Sequence, residues 1–499
     1  MASRLSCGPQ PADRTRSPKT ITKDTLYIGG KWVPSLGSST IKVVSPHTEE
    51  VIATVPEASS ADIDRAVAAA RKAFDEGPWP HTSPAERAQV IRAITTAIQT
   101  RAQEFAETVT AEMGSPASFA MMGQVFAASM VFDGFAGLVD TFAFEEDRPG
   151  LMGPCKVVKH PVGVCAGIVP WNVPLFIISM KLGACLASGS TMIIKSAPET
   201  PLTGYLLADV LDSVGLPEGV VSIITADREM SEVLVRHPGI DKVSFTGSTP
   251  VGRRIGAICG EQLKRCTLEL GGKSASIILD DADLDVAIPQ LLPAAFMNNG
   301  QTCLAQTRVL APRSRYGEVV EALAAAIAAS KVGDPTEADT FIGPLVAERQ
   351  RTRVLGFINA GVGEGARLVC GGGRPKDLPH GWYVEPTLFA DVNNQMQIAR
   401  EEIFGPVLSV IPYDSEDDAV RIANDSDYGL SGSVWTSDIA HGVDVGKRVR
   451  TGAFAINSGT TLDLKNPFGG FKQSGIGREM GPEGLEGYLE TQTLILPGG

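Results

Sequence analysis

The sequence feature that most limits the possible fold is a repeated alternation of apolar runs and helical segments after residue 157. Five apolar runs each end in a polar or glycine-rich turn, and helical patterns separate them. The runs are 162–169, 191–194, 220–224, 242–245 and 266–270. Strands and helices that alternate in this way are typical of a doubly wound parallel sheet. We therefore predict an α/β fold.

The length and charge of the chain limit its domain count and its partners. At 499 residues it is too long for one hydrophobic core, and the usual domain size predicts roughly two to four domains. The net charge of −13 argues against nucleic-acid and membrane partners, because both require basic surfaces. No window qualifies as a transmembrane helix, since the charge-free run at 161–180 contains three prolines. We interpret the acidic surplus as a source of solubility.

The cysteine pattern indicates the compartment. The eight cysteines show no metal-ligand spacing and no dense disulfide framework. In a chain of this size they are typical of reduced thiols, which predicts a cytoplasmic protein without a metal site. Residues 1–19 carry arginines among serines and prolines but have no apolar face. We interpret them as a disordered tail, with a targeting segment as the alternative.

Polar side chains follow the ends of the predicted strands. They are Asn172, Lys195, Glu199, Ser248 and Glu269. Because ligands bind beyond the carboxyl ends of the strands in such sheets, we expect these side chains to line one site.

Three of these positions have a chemical interpretation and a simpler alternative. Glu269 lies between two leucines, so desolvation would raise its pKa and suit a general base, unless it lies on a solvated strand face. Asn172 could donate to an oxyanion or merely cap its turn. Lys195 could contact ribose or phosphate, or extend along the surface as an ordinary lysine.

A possible phosphate site begins at Gly247, where a strand is followed by a helix. We predict Thr249 as the N-cap and Pro250 as the first helical residue. Free amides at a helix N-terminus bind phosphate. The alternative is simply a well-capped helix, because the G-x-G-x-x-G fingerprint of dinucleotide sites is missing.

The loop at 298–303 ends in a candidate nucleophile, Cys303. It is polar, contains a glycine and follows an apolar run. An accessible thiol with neighbouring donors suits covalent catalysis, although most free cysteines are small buried hydrophobic residues. With Asn172 and Glu269, this thiol completes a set of nucleophile, oxyanion donor and base.

Seven motifs in order resemble those of the NAD(P)-dependent aldehyde dehydrogenases. They are Pro170-Trp171-Asn172, the turn after Lys195, Phe245-Thr246-Gly247-Ser248-Thr249, Leu268-Glu269-Leu270-Gly271-Gly272-Lys273, Gly300-Gln301-Thr302-Cys303, Glu401-Glu402-Ile403-Phe404-Gly405-Pro406 and Pro467-Phe468-Gly469-Gly470. The resemblance covers residues 25–496. It implies a Rossmann-like coenzyme domain (20–142 and 162–273), an α/β catalytic domain (274–475) and a small β oligomerisation unit (143–161 and 476–499). It also implies a homotetramer or homodimer.

The resemblance implies a role for each motif. Cys303 would attack the aldehyde and form a thiohemiacetal, Asn172 would hold the oxyanion, and Glu269 would activate water to hydrolyse the thioester. The coenzyme, NAD with NADP as the alternative, would be bound by eight residues. These are Ile168, Trp171, Lys195, Glu199, Gly247, Ser248, Glu402 and Phe404.

Two departures from the family pattern concern specificity. Where the family often has a glutamate for the adenine ribose, this chain has Pro198, followed by Glu199, which leaves NAD against NADP open. Positions that often line the aldehyde tunnel with aromatic residues are Val173, Met180, Met297 and Leu462, with Phe468 retained. This composition predicts an apolar tunnel for a neutral aliphatic or aromatic aldehyde.

Alternative functions use the same thiol. A semialdehyde dehydrogenase, hydrolytic or coenzyme-A-acylating, is the nearest, although Glu269 argues against the acylating form. A thiol esterase would need only the thiol and the oxyanion donor. A non-enzymatic protein on this scaffold would be expected to have lost Cys303, Glu269 or Asn172, and all three are present.

Overall fold

The computed structural model describes residues 20–497. The tail predicted to be disordered, and Cys7 within it, lie outside the described residues. The strands are β1 (Ile21–Thr22), β2 (Thr25–Ile28), β3 (Lys31–Pro34), β4 (Thr40–Val44), β5 (Val51–Pro56), β6 (Glu145–Arg148), β7 (Cys155–Pro161), β8 (Val164–Ile168), β9 (Thr191–Ser196), β10 (Val221–Thr225), β11 (Lys242–Thr246), β12 (Arg265–Glu269), β13 (Ala275–Ile278), β14 (Arg308–Pro312), β15 (Arg367–Cys370), β16 (Thr387–Ala390), β17 (Val407–Tyr413), β18 (Gly432–Trp435), β19 (Ala455–Ile456), β20 (Gly475–Ile476) and β21 (Leu489–Ile495).

The helices separate these strands in the order expected of an α/β protein. They are α1 (Ser60–Asp75), α2 (Pro84–Thr100), α3 (Ala102–Met113), α4 (Ala117–Phe119), α5 (Ala127–Val139), α6 (Pro174–Ser188), α7 (Leu202–Ser213), α8 (Arg228–Arg236), α9 (Thr249–Glu261), α10 (Leu284–Phe296), α11 (Tyr316–Ala328), α12 (Glu348–Gly363), α13 (Gln397–Arg400), α14 (Glu416–Asn424), α15 (Ile439–Arg448) and α16 (Gly481–Glu486). A π-helical segment, Ala120–Phe126, joins α4 to α5.

The five predicted strands form the centre of an eight-stranded sheet. Its order is β20-β12-β11-β8-β9-β10-β2-β3, and β12 to β10 pair in parallel. Strands β8 to β11 are buried along their whole length, as expected when helices cover both faces. The predicted doubly wound sheet is confirmed.

A second sheet of seven strands, in the order β15-β16-β17-β14-β13-β18-β19, forms the other half of the molecule. It is parallel except for β15. The nucleophile loop leaves α10 between strands β13 and β14 of this sheet. The half with the seven-stranded sheet therefore carries Cys303, and the half with the eight-stranded sheet carries the polar residues at its strand ends.

Two small sheets complete the fold. Strands β1, β5 and β4 form one, and β21, β7 and β6 form an antiparallel ribbon in which Leu489 to Ile495 pair along the whole of β7. The role of this ribbon in subunit contact stays a prediction.

Local contacts set the ends of three helices. Ser59 caps α1, because its side chain accepts the Asp62 amide while Asp62 accepts the Ser59 amide. The helical stretch 84–113 is broken at Arg101, although the apolar spacing continues across the break. Helix α5 ends at Val139.

The expectation that no window qualifies as a transmembrane helix was wrong. By length and composition alone, the helical stretch Ala117–Val139 is long and apolar enough to cross a membrane. However, half of this window is buried within the protein, where Val125, Phe132 and Phe135 enter the core. This stretch packs as a core helix against α2 and α6.

Candidate active site

The nucleophile loop has a backbone that few residue types can adopt. After α10, Asn298, Asn299 and Gly300 all have left-handed φ values of 53°, 64° and 72°. Asparagine tolerates this region better than most residues, and glycine is required where space is short. A Cβ at Gly300 would lie 2.3 Å from the backbone of Gly405. The loop therefore lies directly against the 401–406 motif, which contains Glu402.

Hydrogen bonds fix this loop against the first half of the molecule. The Asn298 side-chain nitrogen donates to the Asn172 carbonyl at 2.9 Å, and the Asn172 side-chain nitrogen donates to the Gln301 carbonyl at 2.8 Å. Both asparagines are buried. This reciprocal pair holds the Asn172 side-chain amide against the backbone of Gln301, two residues before Cys303.

Glu269 lies at the end of β12 and is 2% exposed. Neither carboxylate oxygen finds a hydrogen-bond partner within residues 20–497. Burial raises the pKa of Glu269 well above its usual value, and the neighbouring Glu479 charge adds to the increase. Lys181 and Arg478 oppose it. The desolvation expected from the flanking leucines is confirmed.

Cys303 is partly exposed and packs against the large buried apolar cluster of the first half. Burial, followed by the charges of Glu402 and Glu269, raises the thiol pKa above its usual range. The amides of Cys303 and Leu304 act in the opposite direction by hydrogen bonding to the sulfur. The thiol therefore has two carboxylates and two amide donors as neighbours.

The turn after β12 packs directly on the nucleophile. A Cβ at Gly272 would lie 2.2 Å from the Cys303 carbonyl oxygen. The structure thus brings Cys303, Asn172 and Glu269 to one seam between the two large sheets.

A buried ion pair beside Glu269 was missed from the sequence. Lys181 Nζ lies 2.5 Å from Glu479 Oε1, and Ser244 Oγ hydrogen-bonds to both. Both charged side chains are at most 2% exposed. A lysine within the apolar helix α6 was the available signal, because lysine is almost never fully buried unless it is paired.

Removing one partner of this pair is expected to destabilise the protein. Lys181→Met leaves the Glu479 carboxylate buried without its cation, which costs about 3–5 kcal/mol of folding free energy. Thermal unfolding should show a lowered midpoint, and the double variant Lys181→Met/Glu479→Leu should recover most of the loss. A single variant as stable as the unmodified protein would contradict this account.

The start of α9 offers free backbone donors. Ser248, and not the predicted Thr249, is the N-cap, and Pro250 is the second helical residue. No side chain in the described chain caps this helix. The buried Thr246 hydroxyl also has no partner there. Unpaired donors at a helix N-terminus suit a diphosphate, so this region fits a dinucleotide.

Lys195 lies at the end of β9 beside Ile168 of β8, in register. It is buried, and this burial lowers its pKa to about 8, against the opposing charges of Glu199 and Asp227. Glu199 forms an ion pair with Arg349, which the sequence did not reveal.

Glu402 lies beside the turn after β12, and Phe404 packs on Trp171. Glu402 Oε1 accepts the Gly272 amide at 3.0 Å, and burial raises the pKa of Glu402 to about 7. The Phe404 ring meets the Trp171 ring edge-on, with centroids 5.4 Å apart. Lys195 and Glu402 are thus two ionisable groups with shifted pKa values among the residues predicted to bind the coenzyme.

Four of the five residues predicted to line the tunnel belong to one large buried apolar cluster or pack against it. Val173, Met180 and Phe468 belong to one buried apolar cluster, and Leu462 and Cys303 pack against it. Met297 lies outside this cluster, at the start of the left-handed loop. The π-helical segment that ends at Phe126 borders the same cluster and was not foreseen. Its signal is weak because π-helical and α-helical apolar spacings look alike over seven residues.

The fold and the site together define a nucleotide-binding α/β oxidoreductase. The model of the aldehyde dehydrogenase family matches residues 32–494. The chain belongs to this family and is an aldehyde dehydrogenase. The resemblance drawn from the seven motifs is thus confirmed.

Several relatives show how close the similarity is. The chain is 44% identical to the geranial dehydrogenase of Castellaniella defragrans over 96% of this chain and all of that protein. It is similar to a Mycobacterium tuberculosis aldehyde dehydrogenase crystallised with NAD+ (49% identity, TM-score 0.95, 96% of this chain and 99% of that chain). It is also similar to a mutant of aldehyde dehydrogenase C from Pseudomonas syringae, crystallised with NAD+ and octanal (42% identity, TM-score 0.93, 96% and 98%).

Proposed function

We propose that the protein oxidises a neutral, apolar aldehyde to its carboxylic acid with NAD, through covalent intermediates on Cys303. The observation that carries this proposal is that three groups lie together at the interface between the two large sheets. They are the Cys303 thiol, the buried Glu269 carboxylate, which has no hydrogen-bond partner among residues 20–497, and the Asn172 side-chain amide. These are the nucleophile, base and oxyanion donor that aldehyde oxidation requires.

In this mechanism Cys303 adds to the aldehyde carbonyl after Glu269 accepts its proton. The side-chain nitrogen of Asn172 and the backbone amide of Cys303 stabilise the oxyanion of the thiohemiacetal. NAD, when bound, accepts the hydride that this intermediate loses. After Glu269 has released the thiol proton to solvent, it removes a proton from water, which attacks the thioester, and it returns this proton to the departing thiolate, so that the acid and the free thiol are released.

The coenzyme would lie between Lys195 and Glu402. Lys195 and Glu199 would contact the adenine ribose, with Ile168 beneath it. Gly247 and Ser248 would hold the diphosphate at the start of α9, and Glu402 would accept from the nicotinamide ribose beside Phe404 and Trp171. The NAD+ bound in the structures of two relatives supports NAD as the coenzyme.

The residues predicted to line the tunnel support this substrate class. Val173, Met180, Leu462 and Phe468 offer no charged group to a substrate carboxylate. The octanal in the Pseudomonas syringae structure and the name of the geranial dehydrogenase support an apolar aldehyde. A cytoplasmic homotetramer or homodimer completes the proposal.

A panel of aldehydes tests the substrate class. Following NADH formation, we expect kcat/KM for hexanal or octanal to exceed that for succinic semialdehyde by about tenfold or more, because an unpaired carboxylate in an apolar tunnel is costly. Coenzyme A in the assay should not raise the rate. A preference for succinic semialdehyde would favour the semialdehyde alternative, acylation of coenzyme A would favour the acylating form, and ester hydrolysis without aldehyde oxidation would favour a thiol esterase.

A further inference from the structure

An ion pair bridges the two halves of the molecule beside Lys195. Arg349, in the first turn of α12, pairs with Glu199, in the turn after β9. The Glu199 charge also acts on Lys195, so the three groups are close. The Arg349 side chain remains 63% exposed, and the Glu199 side chain is 17% exposed. The guanidinium therefore keeps unused N–H donors near the expected adenine ribose.

The start of α12 contacts both Glu199 and the motif that carries Glu402. Gln350 Nε2 donates to the Phe404 carbonyl at 2.8 Å, and Arg353 Nη2 donates to the Glu402 carbonyl at 2.5 Å. Arg349 is adjacent to Gln350 but reaches Glu199 instead. Its side chain is thus positioned by a helix that is fixed independently of the Arg349–Glu199 pair.

The charged groups near the expected adenine ribose differ from those of a site that binds only NAD. A free carboxylate at the adenine ribose accepts from the 2′-hydroxyl and repels a 2′-phosphate, whereas an arginine accommodates the phosphate. Position 198 is a proline, and the next residue, Glu199, is already engaged by a guanidinium. The groups around this point are Lys195 and Arg349 with positive charge, against Glu199 and Asp227 with negative charge.

We propose that Arg349 is a coenzyme-specificity residue that exchanges Glu199 for the 2′-phosphate of NADP, so that the enzyme uses NADP as well as NAD. The proposal rests on the coenzyme placement in the proposed function. Because two carboxylates remain near the phosphate, NAD is the preferred coenzyme. Loss of the Glu199 charge shifts the preference towards NADP.

Binding of nucleotide fragments tests this without catalysis. Adenosine 2′,5′-bisphosphate and AMP are titrated into the full-length protein by calorimetry. For Arg349→Ala we expect bisphosphate affinity to fall about 10- to 100-fold relative to AMP affinity, as loss of charged hydrogen bonds implies. Glu199→Gln should raise the bisphosphate affinity relative to the AMP affinity. Arg349→Lys should retain part of the preference for the bisphosphate, because lysine keeps the positive charge. Arg313→Ala is the matched control, because Arg313 is equally exposed and pairs with Asp414 elsewhere.

The outcomes separate cleanly. An equal loss of both affinities in Arg349→Ala would make the pair a structural clamp and overturn the proposal. An unchanged ratio of bisphosphate to AMP affinity in Glu199→Gln would also overturn the proposal. This second variant keeps the test decisive even where Arg349→Ala does not fold. Ratios of kcat/KM for NADP and NAD should follow the binding ratios. Since fragment binding needs no aldehyde, a failure of the proposed oxidation would leave this test intact.

Discussion

Replacing Cys303 by alanine is expected to lower the steady rate of NADH formation by roughly four orders of magnitude or more. The reaction needs a covalent thiohemiacetal before hydride can leave, and alanine removes the sulfur that forms it. Glu269 and Asn172 do not replace it, because one acts as a base and the other as an amide donor. The measurement is NADH formation from octanal under saturating NAD.

Two controls make this result specific. Cys370→Ala removes a partly buried free thiol at the edge strand β15 and should retain activity within about twofold, as expected for a peripheral substitution. Cys303→Ala should still bind NAD, because the residues expected to bind the coenzyme, from Lys195 to Glu402, do not include the thiol. Substantial aldehyde oxidation by Cys303→Ala would overturn the mechanism.

Much of the fold could be predicted because local sequence patterns determine it. The strands β8 to β11 are short apolar runs bounded by turns, and a run buried on both faces needs no distant information to be recognised. The desolvation of Glu269 was also predictable, since its sequence neighbours on the strand are leucines. The class of chemistry followed once Cys303, Asn172 and Glu269 were placed on the ends of such elements.

The remaining features depend on contacts between distant parts of the chain. The Lys181–Glu479 pair joins residues 298 positions apart, and the Glu199–Arg349 pair joins residues 150 apart. No local pattern encodes such distances. The left-handed run that begins at Asn298 could not be predicted either, because asparagine is common in ordinary loops. The close approach of Gly300 to Gly405, which excludes a side chain there, is visible only in the structure.

Glu269→Gln is expected to separate the two half-reactions. Gln keeps the size of the side chain but cannot accept a proton, so hydrolysis of the thioester should slow by about 10²–10⁴-fold. Hydride transfer precedes hydrolysis, and the thiol can still lose its proton to solvent at elevated pH. Stopped-flow measurement should therefore show a burst of about one NADH per active site, followed by a slow steady rate. Glu337→Gln, which removes an exposed carboxylate, is the matched control.

The pH dependence gives this variant a second signature. Glu269 acts as a base only when ionised, and its pKa is raised by burial and by the charge of Glu479. Steady turnover of the unmodified enzyme should therefore be full above that raised pKa and should fall as the pH drops through it. In Glu269→Gln this dependence of the hydrolysis step should disappear. Unchanged steady turnover, with the pH profile retained, would assign the base to another group, and Glu402, the other carboxylate whose charge acts on the thiol, would be the first to test.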